Sequence, residues 1–450
     1  MPISPRTSRT PFTPRRRRLV ATAATLTLGA CALAACGSSD DSGAQDASGP
    51  ADLTYWTWTP NMDKVVDLWN QGPGKKQQIK VTVKKQASGD TLVTKILTAH
   101  KAKKAPDLVQ AEYQALPTLV SNDALADISD AAGDLKDEYA DGIWQQATLG
   151  TDAVYAVPQD AAPMMFLYRE DLFKKYGLSA PTTWDDFAEV ARELKKKAPE
   201  KDLTTFSAND SGLFAGLAQQ AGAKWWTTSG DTWKVGIDDA ATKKVADFWG
   251  GLVKEGVIDN QPMYTPAWNK ALDTGKQIAW VSAVWAPGTL TTAAPDTKGK
   301  WAMAPLPQWD DHSTSTGSWG GSSTAVTTDS THQAAAAKFA TWLNTDPKAL
   351  AALARESGIY PAATAAQLSG AFSEPPAFFA NQPDFYPQAA KIAKTTAPAA
   401  WGPNVNVAYN TFKDAFAAAA KNKSDFGAAL TKMQDATVAD MKKQGFEVAE

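Results

Sequence analysis

Two prolines five residues apart set the plan of this chain. Pro158 and Pro163 lie in the stretch 152–187, DAVYAVPQDAAPMMFLYREDLFKKYGLSAPTTWDDF. Each proline fixes its own φ and pushes the residue before it toward extended backbone, so no helix can form across them. The spacing predicts a short strand over 153–157, an extended crossing, and a second strand over 164–168. A helix over 170–176 follows and ends at Gly177. Thr183 then stands as an N-cap, with Asp186 three positions later completing a capping box ahead of Phe187, Val190, Ala191 and Leu194. A straight two-proline connector between two α/β regions reads as a hinge.

The regions on either side support that reading. Strands are predicted over 53–58, 79–83 and 106–109, with helices over 62–69 and 91–103 between them. Such alternation argues for a mostly parallel sheet covered by helices. Open α/β sheets bind ligands beyond the carboxyl ends of their strands, which draws attention to Trp58-Thr59-Pro60 and Gln110-Ala111-Glu112-Tyr113. Beyond the prolines the chain is helix-rich. Residues 240–255 place Val245, Phe248, Trp249, Leu252 and Val253 on one face, with Gly256 as the stop. A strand leads into Val284-Trp285-Ala286-Pro287-Gly288, another covers 301–306, and amphipathic helices are expected over 333–343, 407–421 and 426–444.

These segments, in order, resemble the extracellular solute-binding proteins that feed carbohydrate ABC importers, the maltodextrin-binding type. The resemblance rests on Pro106-Asp107-Leu108-Val109, Ala124-Leu125-Ala126-Asp127-Ile128, Tyr155-Ala156-Val157-Pro158, Tyr168-Arg169-Glu170-Asp171-Leu172-Phe173, Gly177-Leu178 and Thr182-Thr183-Trp184-Asp185-Asp186-Phe187. Ser318-Trp319-Gly320-Gly321 resembles the family's return to its first lobe, and Gly358-Ile359-Tyr360-Pro361 the turn after the next helix. Gly275-Lys276-Gln277-Ile278-Ala279 departs slightly from the usual strand lead. The resemblance implies an α/β, two-lobed periplasmic-binding-protein fold with hinge crossings and a ligand cleft between lobes. Its lobes would comprise 52–157 with 313–345, and 158–312 with 346–450. It further implies a monomeric, non-enzymatic protein that hands a di- or oligosaccharide to the membrane permease subunits of an ABC importer.

The N-terminus reads as a targeting segment. Arg15 to Arg18 precede an apolar small-residue run over 19–35, and Leu33-Ala34-Ala35-Cys36 has the pattern of a lipoprotein cleavage site. Leu28-Gly29-Ala30-Cys31 is a second match, but polar Gly37-Ser38-Ser39-Asp40 after Cys36 favours the later one. Residues 1–35 are thus expected as signal peptide, Cys36 as the lipidated residue and 36–51 as a flexible tether, holding the protein on the outer face of the cell membrane. Export by the general or the twin-arginine route fits equally. Both cysteines fall in this segment, leaving no disulfide for the body. Without the six leader arginines the charge falls from −3 to 39 basic against 48 acidic residues. A mildly acidic body gives no reason to expect nucleic acid, or membrane other than through the anchor.

The chemistry-bearing residues point to binding. Three histidines, His100, His312 and His332, lie far apart, and no nucleophile elbow, phosphate loop or dinucleotide fingerprint is present. No cofactor or metal is expected, and His100 reads as a solvated face. The 17 tryptophans are the positive signal. Sugars offer apolar C–H faces to flat rings and hydroxyls to charged or amide groups, so carbohydrate sites join aromatic platforms to a few placed polar side chains. Trp58, Trp225, Trp226, Trp268, Trp285, Trp319 and Trp401 fall in loops or at strand ends, whereas Trp69, Trp249 and Trp342 fall on helical faces and read as core. Trp184 and Trp56 also read as packing residues. Glu112 and Tyr113 occupy a position where the family often contacts ligand, and Asp160 is either such a contact or a solvated hinge acid. Trp285 matches the family's stacking aromatic, Trp401 is balanced between site and packing, and Tyr360 leans to bracing a turn. A receptor for a peptide or polyamine is the alternative within this class. A secreted glycan-active enzyme is the alternative outside it, and a purely structural lipoprotein is a third.

Overall fold

The computed structural model describes residues 50–87, 89–230, 232–367 and 369–449. Cys36, the leader and nearly all of the tether lie outside the described residues. In chain order the strands are β1 (Ala51–Thr57), β2 (Ile79–Lys85), β3 (Leu108–Glu112), β4 (Ala156–Asp160), β5 (Met164–Arg169), β6 (Trp226–Ser229), β7 (Thr232–Val235), β8 (Ala279–Ala283), β9 (Trp301–Ala304), β10 (Ser322–Val326) and β11 (Glu447–Val448). They form two lobes of the periplasmic-binding-protein type. The first is built on a five-stranded sheet ordered β2-β1-β3-β10-β4. The second carries two three-stranded sheets, β8-β5-β9 and β11-β7-β6.

Strands β1, β2 and β3 run parallel, as the alternating pattern implies, but β10 is antiparallel to both β3 and β4, so the sheet is mixed. The strand expected to end at Val157 continues to Asp160, and Pro158 lies inside it opposite Ser323. β4 is the sheet edge, where a residue without an N–H costs no ladder bond. The register skips Gln159 between Ser323↔Pro158 and Ser322↔Asp160, a bulge that bends the strand as it leaves the sheet. β3 likewise reaches Glu112, three residues past the predicted stop at Val109, because β10 pairs with it along its whole length.

Only Ala161, Ala162 and Pro163 separate β4 from β5. This crossing does not run alone. Ala161 N–H donates to Tyr360 O (3.0 Å) and Ala362 N–H to Gln159 O (3.1 Å) on one side. On the other, Trp319 N–H donates to Ala162 O (3.0 Å) and Met164 N–H to Gly317 O (2.9 Å). Ala397 N–H then donates to Thr316 O (2.8 Å), so the passages of the chain between lobes form one bonded seam. Helix Ser211–Gln220 is pressed onto it at two glycines, where a Cβ on Gly317 would lie 1.9 Å from Gly216 O.

Local signals account for the helices. Thr183 and Asp186 make both bonds of the predicted capping box at the start of Trp184–Lys197. Gly177 and Gly256 take positive φ at the ends of Glu170–Tyr176 and Ala240–Glu255. Trp184, Phe187, Phe206, Phe214 and Trp249 build an aromatic core in the second lobe, joined by Phe412, Phe416 and Phe426 of the last two helices, Val405–Asn422 and Phe426–Gln444. In the first lobe Trp69 packs with Phe339 and Trp342 of helix Gln333–Thr345. The next helix, Pro347–Ser357, also lies on Met62–Gln71, with Asn61 Nδ2 donating to Glu356 O (2.7 Å). The chain therefore stays with the first sheet past residue 345, where the sequence division had it leaving. His100 is not a solvated residue: its side chain is 12% exposed and meets Asp329 at 3.0 Å.

Candidate ligand-binding site

A cleft of about 640 Å³ opens where the two lobes face each other across the seam. Its first-lobe wall is set by a buried polar network at the ends of β1, β3, β4 and β10. Gln110 Oε1 accepts from the Thr57 hydroxyl, from Thr59 Oγ1 (3.0 Å) and from the Trp58 N–H (3.3 Å), which fixes the loop bearing the Trp58 ring. The Gln110 amide donates to Ser322 Oγ (2.8 Å), and that hydroxyl donates to Asp160 Oδ1. Behind it Gln159 Oε1 accepts from Tyr55 (3.0 Å) and Thr324 (2.9 Å). A satisfied network of this kind holds side chains in one arrangement. Burial pushes the Asp160 carboxyl up from 3.8 to about 6, against the lowering pull of Ser322.

The facing wall is aromatic. Tyr264, Trp268, Trp280, Trp285 and Trp319 form a chain of edge-to-face contacts with centroid spacings of 5.0–5.7 Å between successive members Tyr264–Trp268, Trp268–Trp280, Trp280–Trp285 and Trp285–Trp319. Tyr264, Trp285 and Trp319 reach the cleft, while Trp268 and Trp280 are buried behind them. Asp210 caps helix Ser211–Gln220 by accepting from Leu213 N–H (3.0 Å), and the Trp319 side chain lies near enough to favour its charged form. Its carboxyl is raised by burial in spite of both. Trp401 donates Nε1–H to Gln146 Oε1 (2.8 Å) on the opposite lobe, and Thr118 Oγ1 donates to Pro403 O (2.9 Å) beside it.

Of the residues singled out in the sequence, Trp58, Glu112, Asp160, Trp285, Trp319 and Trp401 line this one cleft. Tyr113 stands behind it: it is buried, donates to Asp160 O (3.0 Å), and lies so close under Gly321 that a Cβ there would be 2.9 Å from its ring. Trp225 and Trp226 do not reach the cleft. Trp225 is buried with its indole on Thr242 Oγ1 (3.0 Å), and Trp226 is the first residue of β6, sealed beneath Gly402. Trp268 is also a core residue, buried on the inner face of helix Pro266–Asp273. Sequence reasoning missed Asp210, Asn209, Tyr264 and Lys413 in the lining. Asp210 alone carried a readable signal, an N-cap residue directly ahead of an apolar helical run. Among the described residues no group of three or more His, Cys, Asp or Glu is arranged to hold a metal ion.

Two lobes, a bonded seam and an aromatic and acidic cleft between them define a periplasmic-type binding protein. Residues 55–350 match the family model for bacterial extracellular solute-binding proteins, and the chain belongs to that family. It is 22% identical over 321 residues to the arabinooligosaccharide-binding protein of Bacillus subtilis (strain 168), covering 68% of this chain and 71% of that one. It is 28% identical over 238 residues to the lactose-binding protein of Rhizobium radiobacter, covering 51% and 54%. Among solved structures it is similar to the galacto-N-biose-/lacto-N-biose I-binding protein of the ABC transporter from Bifidobacterium longum in complex with lacto-N-biose. There the TM-score is 0.78 and the identity 25%, over 89% of this chain and 99% of that chain.

Proposed function

We propose that this protein captures a di- or oligosaccharide in the cleft between its lobes and delivers it to the membrane permease subunits of an ABC importer. The observation that carries this reading is the convergence of Trp58, Trp285, Trp319 and Trp401 with Glu112, Asp160 and Asp210 on a single cleft. Flat rings suit the C–H faces of pyranoses, and carboxylates at the cleft wall suit their hydroxyls. The arabinooligosaccharide-, lactose- and lacto-N-biose-binding relatives support the same class of ligand.

On this reading the lobes close on the sugar by bending at the seam. The first lobe comprises residues 52–160 with 322–357, and the second the remainder of the body. The protein acts as a monomer on the outside of the cell membrane, held by lipid on Cys36, and releases its ligand chemically unchanged.

Thermal unfolding of the purified protein against a panel of plant and microbial oligosaccharides tests it. A ligand at about 100 times its Kd adds roughly 2.7 kcal/mol to native stability, a clear rise in Tm. The expected result is a shift with one glycan series and recovery of that glycan intact. Shifts with peptides or polyamines alone, or a cleaved glycan, would overturn the assignment.

A further inference from the structure

We propose that the base of the first lobe, the end away from the cleft, is a docking face for an anionic phospholipid surface. The inference is independent of what the cleft binds and of lipid on Cys36.

Net charge conceals this face. Outside the six leader arginines the chain has 39 basic residues against 48 acidic, yet residues 72–106 hold nine lysines and a single acid, Asp90. Topology gathers six of the nine at one end. β1 and β2 are parallel and start level, with Ala51 opposite Ile79. Lys75 and Lys76 belong to helix Pro73–Gln77, directly before β2, and Lys80 is the second residue of β2. Helix Asp90–Lys101 returns from the end of β2 to the start of β3, which is parallel to β1, so Lys101, Lys103 and Lys104 come back to the same end. Lys103 accordingly meets Asp329 at 3.5 Å, just past the end of antiparallel β10. All six lysines are exposed, and among the described residues Lys103 is the one of them in an ion pair.

The acids at this end leave the lysines largely uncompensated. The Asp329 side chain is buried and holds His100 as well as Lys103, and Asp107 is taken by the Thr54 N–H and the Ser330 hydroxyl. Asp52, opposite Lys80, and Asp67 are exposed on this side. Asp123 and Asp127 flank the Leu125–Thr327 bridge and so stand toward β10, across the sheet from β2.

Two further observations favour a membrane as the partner. Leu68 and Tyr264 are the large hydrophobic side chains left exposed among the described residues; Tyr264 lines the cleft, whereas Leu68 lies in helix Met62–Gln71, which abuts Pro73–Gln77 and its lysines. A lone exposed leucine is ordinary, but one at the rim of a lysine cluster matches a surface that takes charge and an apolar side chain together. Residues 1–49 also join the body at this end, where β1 begins. Each ammonium brought close to an anionic bilayer multiplies affinity roughly fivefold, and the attraction fades within a Debye length. The cleft opens at the opposite strand ends, beyond the seven residues of β1, so it stays about 20 Å clear of the bound surface.

The test uses the full chain at low salt, with vesicles of phosphatidylcholine alone or with one quarter phosphatidylglycerol. Lysine acetylation, read residue by residue by mass spectrometry, is expected to fall several-fold at Lys75, Lys76, Lys80, Lys101 and Lys104 with the anionic vesicles only. It should stay unchanged at Lys421, Lys432, Lys442 and Lys443 of the last two helices. Co-sedimentation is expected to drop tenfold or more in the quadruple variant Lys75→Glu, Lys76→Glu, Lys101→Glu, Lys104→Glu, and far less when the same change is made at those four control lysines. All eight sites are exposed, so neither variant disturbs the core. Leu68→Ser should weaken binding several-fold, and added salt should release the protein. Binding without protection of the five lysines would put the contact on the leader arginines and overturn the proposal, as would equal losses in the two quadruple variants. Equal protection by soluble polyphosphate, with Leu68→Ser silent, would make the face a polyanion site and overturn the membrane assignment.

Discussion

Trp285 Nε1 donates to the main-chain oxygen of Trp319 at 2.8 Å, and the two rings stand at 75° with centroids 5.0 Å apart. The first residue follows β8 in the second lobe, and the second lies on the seam. The bond and the edge contact together hold the Trp285 ring against Trp319. A platform already held in its binding geometry spends little entropy when a ligand arrives. Replacing Trp285 by Phe keeps a flat face but deletes the donor, so sugar affinity is expected to fall by about 1 kcal/mol, and by more in Trp285→Ala. Calorimetric titration of the two variants checks this; equal affinities in all three proteins would show that the ring is not part of the site.

The Trp401–Gln146 bond joins the lobes beside the cleft. Gln146→Ala leaves the Trp401 N–H without that partner and the ring held mainly by its edge contact with Tyr409, 6.5 Å away. Sugar affinity should drop by about 0.5–1.5 kcal/mol. Unchanged affinity would mean that packing alone positions Trp401.

Trp226 lies outside the cleft yet bears on it. A Cβ on Gly402 would fall 2.1 Å from Trp226 Nε1, so Gly402→Ala must displace the strap carrying Trp401. The expected cost is about 1–3 kcal/mol of stability, as for other overpacked sites. Denaturant unfolding measures it, and Trp226→Phe in the same chain should recover part of the loss by vacating the space. A double variant as unstable as the sum of the singles would refute the contact.

The raised Asp160 carboxyl makes stability depend on pH. A folded chain that keeps a proton after the unfolded chain has lost it gains stability from that group below the ordinary value of 3.8, and loses it as pH rises through about 6. Asp160→Asn should therefore flatten the fall in unfolding free energy between pH 4 and 6 relative to the unmodified protein. Denaturant titrations at pH 4, 5, 6 and 7 provide the comparison, and parallel profiles would place the pH dependence elsewhere.

Local signals in the sequence were read well because the forces behind them are local. The proline spacing, the Thr183–Asp186 box and the Gly177 and Gly256 stops all stand within a few residues of what they control. Pro158 marked the hinge but not the strand end, since whether a strand tolerates proline depends on its being at the sheet edge, which only the topology decides. Among the tryptophans, loop position separated Trp58, Trp285, Trp319 and Trp401 from the helical core rings. It failed for Trp226, which is buried at the start of a short strand, for Trp225 just ahead of it, and for Trp268, on the buried face of helix Pro266–Asp273. Tyr264 and Lys413 were invisible for a different reason: each belongs to a segment with no site-like pattern, brought to the cleft only by how the second lobe packs.

The bonded seam has a mechanical consequence. Four segments lie edge to edge there, around Gln159–Met164, Thr316–Trp319, Tyr360–Ala362 and Thr395–Ala397, each tied to a neighbour through its main chain. A twist in any one of them strains the main-chain bonds that tie it to its neighbour, so the proposed closure is expected to be one swing about the seam rather than sideways rocking. A jaw with a single axis measures whatever lies between its plates. A glycan too thick or too thin for the cleft has no tilted pose to retreat to, and the misfit registers as an angle at which closing stops. On the proposed closure, the outer faces of the two lobes would carry that angle as their relative position, legible to a partner that never touches the sugar.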